Sequence, residues 1–499
     1  MRDRLVFYIN GQRHEVRGDA AGATLSDYLR LGLGGPRQSG TKIACAEGDC
    51  GACTVLVGKP RFPTGGFDYQ TVDACIAFVY QFDRHHIVTV EGLALDGELT
   101  QVQSAMVDCH GSQCGFCTPG FVMALAGLAE EAEGELTDDE LRLGLSGNLC
   151  RCTGYSQILD AGRRCGGAGR ARVVDRFDTH KILTELVAVG DEGVHVNRLS
   201  SRPEQNGAGR HPPEIVLPTS IDQLLAARAA NTDAKLVSGA TDIGVQFNHG
   251  RIDPPAVIAT AGVAELQEMR VENSNEGREL VIGAGVTWSQ IEDFSRDAIP
   301  EYHAILTRFG SPQVRHVGTL VGNLANASPI ADSIPFHYVA ESTIELASLR
   351  GSRQIAIDQF YLGYKKLDMA ADEAILRVRT PLPTDATQLK LYKVSKRRDM
   401  DISTVTLAFW IERDGDTIAE CRMAAGGVGP TVVRLPLAEQ ALVGQPLSLD
   451  AMRAAGRIAR GEVTPITDVR GSAEFRGQLI ENLFAKYWHD LTPEPQGVG

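Results

Sequence analysis

The chain has 499 residues, which predicts about three or four domains and leaves ample length for their hydrophobic cores. Its formal net charge of −14 argues against binding to nucleic acid or to an anionic membrane surface, because both favour clustered Lys and Arg. Eleven cysteines, an odd number in a long chain, fit poorly with a disulfide framework and favour metal ligation.

The amino-terminal segment gives no signal for export. MRDRLVFYINGQRHEV lacks the long apolar core of a signal peptide, and no run of the sequence approaches the about 18 apolar residues that a membrane helix needs. We therefore expect a cytoplasmic protein that does not associate with membranes.

Residues 1–90 are predicted to form a plant-type ferredoxin domain. Two short strands are expected on either side of the turn Asn10-Gly11, followed by a helix that starts after Thr24. The segment CAEGDCGAC has the C-x4-C-x2-C spacing of plant-type [2Fe–2S] ferredoxins, and another cysteine follows in the apolar run DACIAFVY. Glycines in this loop permit the positive φ angles and the close backbone approach that a cluster requires. The predicted ligands, the first cysteine group, are Cys45, Cys50, Cys53 and Cys75.

Residues 91–165 are predicted to be helical and to carry a second set of thiols. Thr118-Pro119 is typical of a helix start, and Thr137 with Glu140 matches a capping box. These signals place one cysteine pair just before a helix and another pair in the turn after a later helix, so a small bundle would bring them together. This second cysteine group consists of Cys114, Cys117, Cys150 and Cys152.

Zinc is the alternative metal for both groups, because structural zinc sites also use C-x2-C pairs. For the first group the ferredoxin spacing favours [2Fe–2S]. For the second group zinc is a stronger alternative, because C-x2-C followed by C-x-C is not a common cluster motif, but the neighbouring ferredoxin-like domain favours a second cluster. A redox-active pair at Cys114 and Cys117 is disfavoured because it would leave Cys150 and Cys152 unexplained. Cys109, Cys165 and Cys421 have no partner spacing, and we expect them to be buried free thiols.

Residues 166–213 combine Gly, Arg, Pro and polar residues and are interpreted as a linker with a short helical piece. From Glu214 onward, strands alternate with capped helices, which predicts an α/β or α+β domain over residues 214–385. Alternating apolar and polar residues then predict an antiparallel sheet, with a hairpin turn at Asp414-Gly415, in a C-terminal domain over residues 386–492.

Two glycine-rich turns, at residues 235–244 and 317–335, have the composition of loops whose backbone N–H groups approach a phosphate. Neither turn fits the Rossmann motif, so composition alone supports nucleotide binding here. The twelve histidines show no zinc-protease motif or catalytic-triad context, and we expect His85 and His86 to be a solvated pair.

CAEGDCGAC with Cys75, then SQCGFC and NLCRCTGY, then a flavin-type region, in that order, resemble the xanthine oxidase family of molybdenum hydroxylases. The resemblance covers nearly the whole chain apart from the linker. Since the family's large molybdenum-cofactor region is not among these residues, the chain looks like the small subunit of two-subunit bacterial xanthine dehydrogenases. The resemblance implies a multidomain α+β protein with a β-grasp plant-type ferredoxin domain, a four-helix-bundle [2Fe–2S] domain, a two-part α+β FAD-binding domain and a C-terminal α+β domain.

The resemblance also implies a reaction. A molybdopterin-binding large subunit would convert hypoxanthine and xanthine to urate, and electrons would pass through two [2Fe–2S] clusters to FAD and then to NAD+. A heterotetramer of two small and two large chains is expected, with no catalytic acid or base in this chain. The alternatives are the same kind of subunit serving aldehydes or N-heterocycles, and a zinc-stabilised scaffold without redox function.

Residue assignments follow from the resemblance as well. The second cysteine group would hold the cluster nearer molybdenum, and Gln113 would approach the pterin across the subunit boundary. The first cysteine group would hold the cluster nearer the flavin. FAD contacts are implied for Lys235, Leu236, Val237, Ser238, Gly239, Ala240, Thr241, Asp242, Ile243, Phe309, Gly318, Thr319, Gly322, Asn323, Asn326, Asp332, Leu376 and Lys393.

Overall fold

A computed structural model of the chain describes residues 1–61, 65–94, 97–167, 172–197, 213–274 and 277–492. The chain divides into two compact units. The first unit comprises Met1–Glu265 and Gly310–Thr319, and the second comprises Leu266–Phe309 and Leu320–Gly499. None of the described helices is both long enough and apolar enough to span a membrane.

The ferredoxin-like part of the first unit is a five-stranded sheet with the order β2-β1-β5-β3-β4. Its elements are β1 (Leu5–Ile9), β2 (Gln12–Val16), α1 (Leu25–Leu31), β3 (Thr54–Pro60), β4 (Phe67–Asp73), β5 (His86–Val88) and α2 (Val90–Leu93). The hairpin turn is at Asn10 and Gly11, as predicted, with φ angles of 49° and 77°. All five residues of β1 are buried, because alternate side chains enter the two hydrophobic clusters on either side of the sheet.

The helical part of the first unit confirms the predicted four-helix domain. Its helices are α3 (Gln101–Asp108), α4 (Thr118–Glu131), α5 (Asp138–Gly144) and α6 (Ser156–Arg163). Thr137 and Glu140 form the capping box at the start of α5, and Pro119 lies in the first turn of α4. The apolar residues of α4 share one hydrophobic cluster with Val6, Tyr8 and Leu56 of the ferredoxin-like sheet.

The rest of the first unit contains a small sheet with the order β6-β7-β9-β8. The elements are α7 (Thr179–Ala188), β6 (Val194–Val196), β7 (Glu214–Leu217), α8 (Ile221–Ala230), β8 (Lys235–Val237), α9 (Thr241–Asn248) and β9 (Ala256–Ala259). Strands β7 and β8 run parallel to β9. Strand β6 pairs with β7 and was not predicted, while residues 168–171 and 198–212 of the predicted linker lie outside the described residues.

The second unit begins with an antiparallel sheet of order β10-β11-β16-β12-β13. The helix α12 (Pro312–Arg315) occurs within this part of the sequence but belongs to the first unit. The elements are β10 (Met269–Ser274), β11 (Gly277–Gly283), α10 (Trp288–Ala298), α11 (Pro300–Leu306), α12 (Pro312–Arg315), α13 (Leu320–Asn326), α14 (Ile334–Val339), β12 (Thr343–Ser348), β13 (Gly351–Ala356), α15 (Ile357–Phe360), β14 (Tyr361–Gly363), β15 (Lys366–Leu367) and β16 (Ala374–Pro381).

The C-terminal part of the second unit is the predicted antiparallel sheet, with the order β17-β18-β19-β20. Its elements are β17 (Thr387–Val394), β18 (Val405–Asp414), β19 (Thr417–Gly426), β20 (Val433–Arg434), α16 (Pro436–Leu442), α17 (Leu449–Glu462) and α18 (Ala473–Leu491). Asp414 ends β18 and Gly415 has a φ of 59°, which matches the predicted hairpin turn. The multidomain α+β fold class is therefore confirmed.

Candidate metal and flavin sites

The first cysteine group lies in the loop between α1 and β3 and in the turn after β4. The Cys45 thiol lies close enough to the thiols of Cys50 and Cys75 to shift their pKa values, and the same holds for Cys53 and Cys75, so the structure brings all four thiols together. The contact with Cys50 lowers the pKa of Cys45 and raises the pKa of Cys50. Cys53 and Cys75 are each only 2% exposed, whereas Cys45 and Cys50 are half-buried.

The loop around Cys45 points backbone N–H groups at its sulfur. The N–H groups of Glu47 and Asp49 donate to Cys45 Sγ at 3.4 and 3.5 Å. Ala46 and Gly48 have φ angles of 56° and 72°, and this left-handed backbone turns the N–H groups inward. N–H groups aimed at sulfur stabilise a thiolate, which is the form of cysteine that ligates metal.

A buried carboxyl, Asp73, lies beside this group and was not identified from the sequence. Cys53 Sγ lies 3.5 Å from Asp73 Oδ1, and Asp73 is 1% exposed. Burial raises the pKa of Asp73 to about 7. Its position two residues before Cys75 was the only sequence signal that could have pointed to it.

The second cysteine group lies in the turns that precede α4 and α6. The thiol of Cys117 lies close to that of Cys150, and the thiol of Cys114 lies close to that of Cys152. Burial, followed by the contact with Cys150, raises the pKa of Cys117 to about 12. Thr153 donates to Cys150 Sγ through its backbone N–H at 3.4 Å and its hydroxyl at 3.2 Å. The two pairs that the helical hairpin was predicted to bring together are therefore adjacent.

The donor sets fit [2Fe–2S] clusters. Such a cluster is held by four thiolates, two on each iron, so pairs of neighbouring thiols are the geometry it requires. Each of the two cysteine groups supplies four thiols in contacting pairs. Within the part of the chain that the structure describes, no group of three or more His, Cys, Asp or Glu side chains is arranged around a single metal ion.

The second group is more exposed to solvent than the first. Cys114 and Cys152 are exposed, and so is Gln113. Large apolar side chains surround them, because Phe116 is 47% exposed and Leu149 is 46% exposed. We call this surface the cysteine face, and it consists of Gln113, Cys114, Phe116, Leu149, Cys152 and Tyr155.

A buried polar junction joins the two cysteine-bearing segments. The backbone N–H of Leu149 donates to the carbonyl oxygen of Cys50 at 3.0 Å. Next to it, Asn148 Nδ2 donates to the Gly51 carbonyl at 3.1 Å, and Gln313 Nε2 donates to Asn148 Oδ1 at 2.8 Å. Asn148 is 3% exposed and Gln313 is fully buried. No spacing in the sequence connects Gln313, on α12, with either cysteine group, so sequence reasoning missed it.

Glycines allow this junction to close. A Cβ at Gly51, which has a φ of 65°, would lie 2.4 Å from the carbonyl oxygen of Gly147. A Cβ at Gly120 of α4 would lie 2.1 Å from the carbonyl oxygen of Gly51. Three backbone segments therefore meet at distances that only glycine permits.

The first stretch of implied FAD contacts, residues 235–243, forms β8, a short loop and the start of α9. A Cβ at Gly239 would lie 2.0 Å from the Val317 carbonyl oxygen and 2.7 Å from Gly318 Cα. The structure thus brings this stretch against Val317 and Gly318 of the second glycine-rich turn, within the first unit. Glycine permits this close approach of two backbone segments, and the glycine-rich composition of both turns fits loops that approach a diphosphate.

The other implied FAD contacts belong to the second unit. Lys393 forms a buried ion pair with Asp332 and also donates to the carbonyl oxygen of Asp401 at 2.8 Å. Asn323 on α13 accepts a hydrogen bond of 2.9 Å from Ser333, which follows Asp332. The others lie on α13 (Gly322 and Asn326), on β16 (Leu376) and just before residue 310 (Phe309, whose ring packs edge-to-face at 4.8 Å on Trp288).

Four family models match the chain in sequence order. They are the 2Fe-2S iron–sulfur cluster binding domain at residues 7–79, the [2Fe-2S] binding domain at 89–163, the FAD binding domain in molybdopterin dehydrogenase at 211–383, and the CO dehydrogenase flavoprotein C-terminal domain at 390–491. The individual domain boundaries that we inferred from the sequence remain predictions.

Known xanthine dehydrogenases align with nearly the whole chain. The chain is 28% identical to xanthine dehydrogenase 1 of Arabidopsis thaliana over 97% of its own length, and 30% identical to xanthine dehydrogenase of Drosophila subobscura over 99%. The chain belongs to the xanthine oxidase family of molybdenum hydroxylases. It spans 39% and 40% of those two relatives, and it corresponds to the iron–sulfur and FAD electron-transfer component of molybdenum hydroxylases.

Solved structures of molybdenum hydroxylases share the fold over about half of the chain. A chain of carbon monoxide dehydrogenase from Hydrogenophaga pseudoflava, in a form that lacks the Mo-pyranopterin moiety, has a TM-score of 0.52 at 25% identity and matches 55% of this chain and 95% of its own length. A chain of quinoline 2-oxidoreductase from Pseudomonas putida 86 has a TM-score of 0.51 at 23% identity, with 55% and 94% matched.

Replacing Gln313 by Leu is expected to destabilise the junction between the cysteine groups. The change removes the donor to Asn148 Oδ1 and leaves a buried acceptor unsatisfied, which costs about 1–3 kcal/mol. We expect a lower melting temperature of the first unfolding transition, measured by calorimetry. The control is Gln354→Leu on the exposed face of β13, and equal melting temperatures for both variants would contradict the assignment.

Proposed function

We propose that this chain is the electron-transfer subunit of a cytoplasmic xanthine dehydrogenase that passes electrons to NAD+. The observation that carries the proposal is the single alignment with xanthine dehydrogenases, which runs through both cysteine groups and the flavin region and covers 97–99% of the chain. The carbon monoxide dehydrogenase chain, by contrast, matches 95% of its own length but 55% of this one. Joining both cluster regions to the flavin region in one chain therefore favours a xanthine dehydrogenase.

The two cysteine groups would hold the two clusters. Cys45, Cys50, Cys53 and Cys75 would ligate the cluster nearer the flavin, and Cys114, Cys117, Cys150 and Cys152 the one nearer molybdenum. When bound, the clusters and FAD would supply one-electron and two-electron redox chemistry, respectively. The chain's own residues place the thiols, aim N–H groups at the Cys45 sulfur and bury Cys53 and Cys75.

For FAD, the bare backbone around Gly239, Gly318 and Thr319 would face the diphosphate. In the second unit, Lys393 would keep the Asp332 carboxylate neutralised and in place. The remaining proposed FAD contacts are those named above from the resemblance. No acid or base for substrate chemistry is assigned to this chain.

The cysteine face has the composition of a surface that binds a partner protein. Exposed apolar side chains such as Phe116 and Leu149, grouped around exposed thiols, are typical of a protein–protein interface. We propose that this face meets a molybdopterin-binding large subunit, with Gln113 directed toward the pterin, and that two chains of each kind form a heterotetramer.

The partner's substrate would be hypoxanthine or xanthine, oxidised to urate. A second candidate is an aldehyde or an N-heterocycle, which the shared fold with quinoline 2-oxidoreductase favours. The test is an assay of the purified complex with xanthine, an aldehyde and quinoline, each with NAD+ or oxygen. Xanthine-dependent NADH formation is expected, and turnover of quinoline or the aldehyde without xanthine turnover would replace the first candidate by the second.

Metal analysis distinguishes this proposal from a zinc-stabilised scaffold. Two [2Fe–2S] clusters require about four iron atoms and about four acid-labile sulfides per chain. We expect these amounts, together with visible absorption and two paramagnetic signals after reduction. A colourless protein that contains zinc in place of iron would contradict the proposal.

Replacing Cys150 by Ser is expected to interrupt electron flow from the substrate to FAD, because it removes a proposed ligand of the cluster nearer molybdenum. Reduction of FAD by NADH should stay within about twofold of the unmodified complex, since that step does not involve the second cysteine group. Stopped-flow absorbance measures both reactions. Cys109→Ser, in the same helical region but outside both groups, is the control. Loss of both reactions with FAD still bound would contradict the proposed order.

Replacing Lys393 by Met is expected to weaken FAD retention by about tenfold or more. The change leaves Asp332 as a buried carboxylate without its cation, which costs several kcal/mol, and 1.4 kcal/mol corresponds to tenfold in affinity. Fluorescence of released FAD measures the affinity. Lys390→Met on the same strand, where Lys390 pairs with Glu301, is the control. If the two variants retain FAD equally, Lys393 does not support the flavin.

A further inference from the structure

The side-chain amide of Asn248 connects α9 to the first cysteine group. Asn248 Nδ2 donates to the carbonyl oxygen of Ala46 at 2.8 Å and to that of Cys75 at 2.8 Å. Because both neighbours are acceptors, the NH2 group of the amide must point toward them. One side chain therefore holds the two separate segments that carry the first cysteine group.

The backbone of α9 also lies directly on this region. A Cβ at Gly244 would lie 2.1 Å from the carbonyl oxygen of Ile76 and 2.7 Å from its Cα. One residue beyond Asn248, His249 Nε2 lies 2.6 Å from Glu47 Oε1. Contacts at the middle and at the end of α9 thus fix the helix against the loop after Cys45 and the turn after Cys75.

The amino-terminal end of α9 follows directly after the proposed FAD loop. Thr241 follows Gly239 and Ala240, where the backbone of residues 235–243 meets Gly318. Thr241–Asn248 spans eight residues, or about 12 Å at about 1.5 Å per residue. A short rigid helix therefore separates the proposed flavin loop from the segments around the first cysteine group.

We propose that Asn248 is a positioning residue that sets the redox equilibrium between the first cluster and the flavin. The inference rests on the proposed function. The Asn248 N–H groups neutralise the carbonyl dipoles of Ala46 and Cys75, next to two of the proposed iron ligands. Removing positive dipole ends from this position makes an added electron on the cluster less favourable, because hydrogen bonding and charge around a cluster set its potential.

The test compares Asn248→Ala and Asn248→Asp with the unmodified full chain carrying iron and FAD. A redox titration followed by electron paramagnetic resonance measures how electrons divide between the first cluster and FAD. Asn248→Ala is expected to shift this division about three- to tenfold toward FAD, where tenfold equals about 59 mV for one electron. Asn248→Asp is expected to shift it further, since a carboxylate would meet two carbonyl oxygens. The potential of the second cluster should not change.

Two controls separate this role from simple packing. Asn231→Ala changes the same residue type after α8, where Asn231 Oδ1 accepts from the Ala234 N–H at 3.1 Å without contact to a cysteine segment. His249→Gln alters the neighbouring contact with Glu47 and leaves the Asn248 amide in place. Both controls are expected to stay within about twofold of the unmodified chain.

Each outcome is decisive. An unchanged division of electrons in Asn248→Ala and Asn248→Asp, with iron and FAD fully retained, would overturn the inference and leave the proposed function intact. Equal shifts in His249→Gln and Asn248→Ala would also overturn it, because they would indicate general loosening of α9. An unmodified chain that binds neither iron nor FAD would overturn the proposed function and this inference together.

Discussion

The hydrogen bond from the Leu149 N–H to the Cys50 carbonyl joins the two halves of the iron–sulfur region. It joins the backbone next to Cys150, a proposed ligand in the second cysteine group, to Cys50, a proposed ligand in the first. Asn148 and Gln313 hold this contact from the side, and Gly51 and Gly120 leave the space for it. Because Asn148 and Gln313 are buried, a polar atom of either side chain that lost its partner would have no water to replace it. The relative position of the two cysteine groups is therefore tightly determined.

The two groups differ in their exposure to solvent. The first has two thiols that are almost fully buried, N–H groups aimed at Cys45, and a buried carboxyl at Asp73. The second has exposed thiols at Cys114 and Cys152 among exposed apolar side chains. Burial, local charge and hydrogen bonds to sulfur are the features by which a protein tunes a cluster. Two sites with the same four donors thus have different surroundings.

Sequence patterns predicted the local features of the molecule well. The hairpin at Asn10-Gly11, the capping box at Thr137 and the turn at Asp414-Gly415 all depend on residues close in the chain, and the structure has them. The convergence of each cysteine group followed from spacing. Contacts between distant segments, such as Gln313 with Asn148 and Asn248 with Ala46, leave no periodic signal, so no pattern could have identified them. The prediction of a solvated His85-His86 pair was wrong for His86, which is fully buried and bonded to Tyr69 at 2.6 Å, because its strand β5 is central in the sheet.

The path of the chain between the two units has a consequence for how such proteins can be divided. The chain leaves the first unit after Glu265, returns for Gly310–Thr319, and leaves it again. That short return supplies Gln313 to the buried junction and His316 to Thr71, at 2.8 Å from its carbonyl oxygen. A gene fragment cut at residue 265 would therefore encode an iron–sulfur region with part of its interior missing. The flavin region cannot be exchanged as a cassette unless the replacement brings an equivalent ten-residue insert.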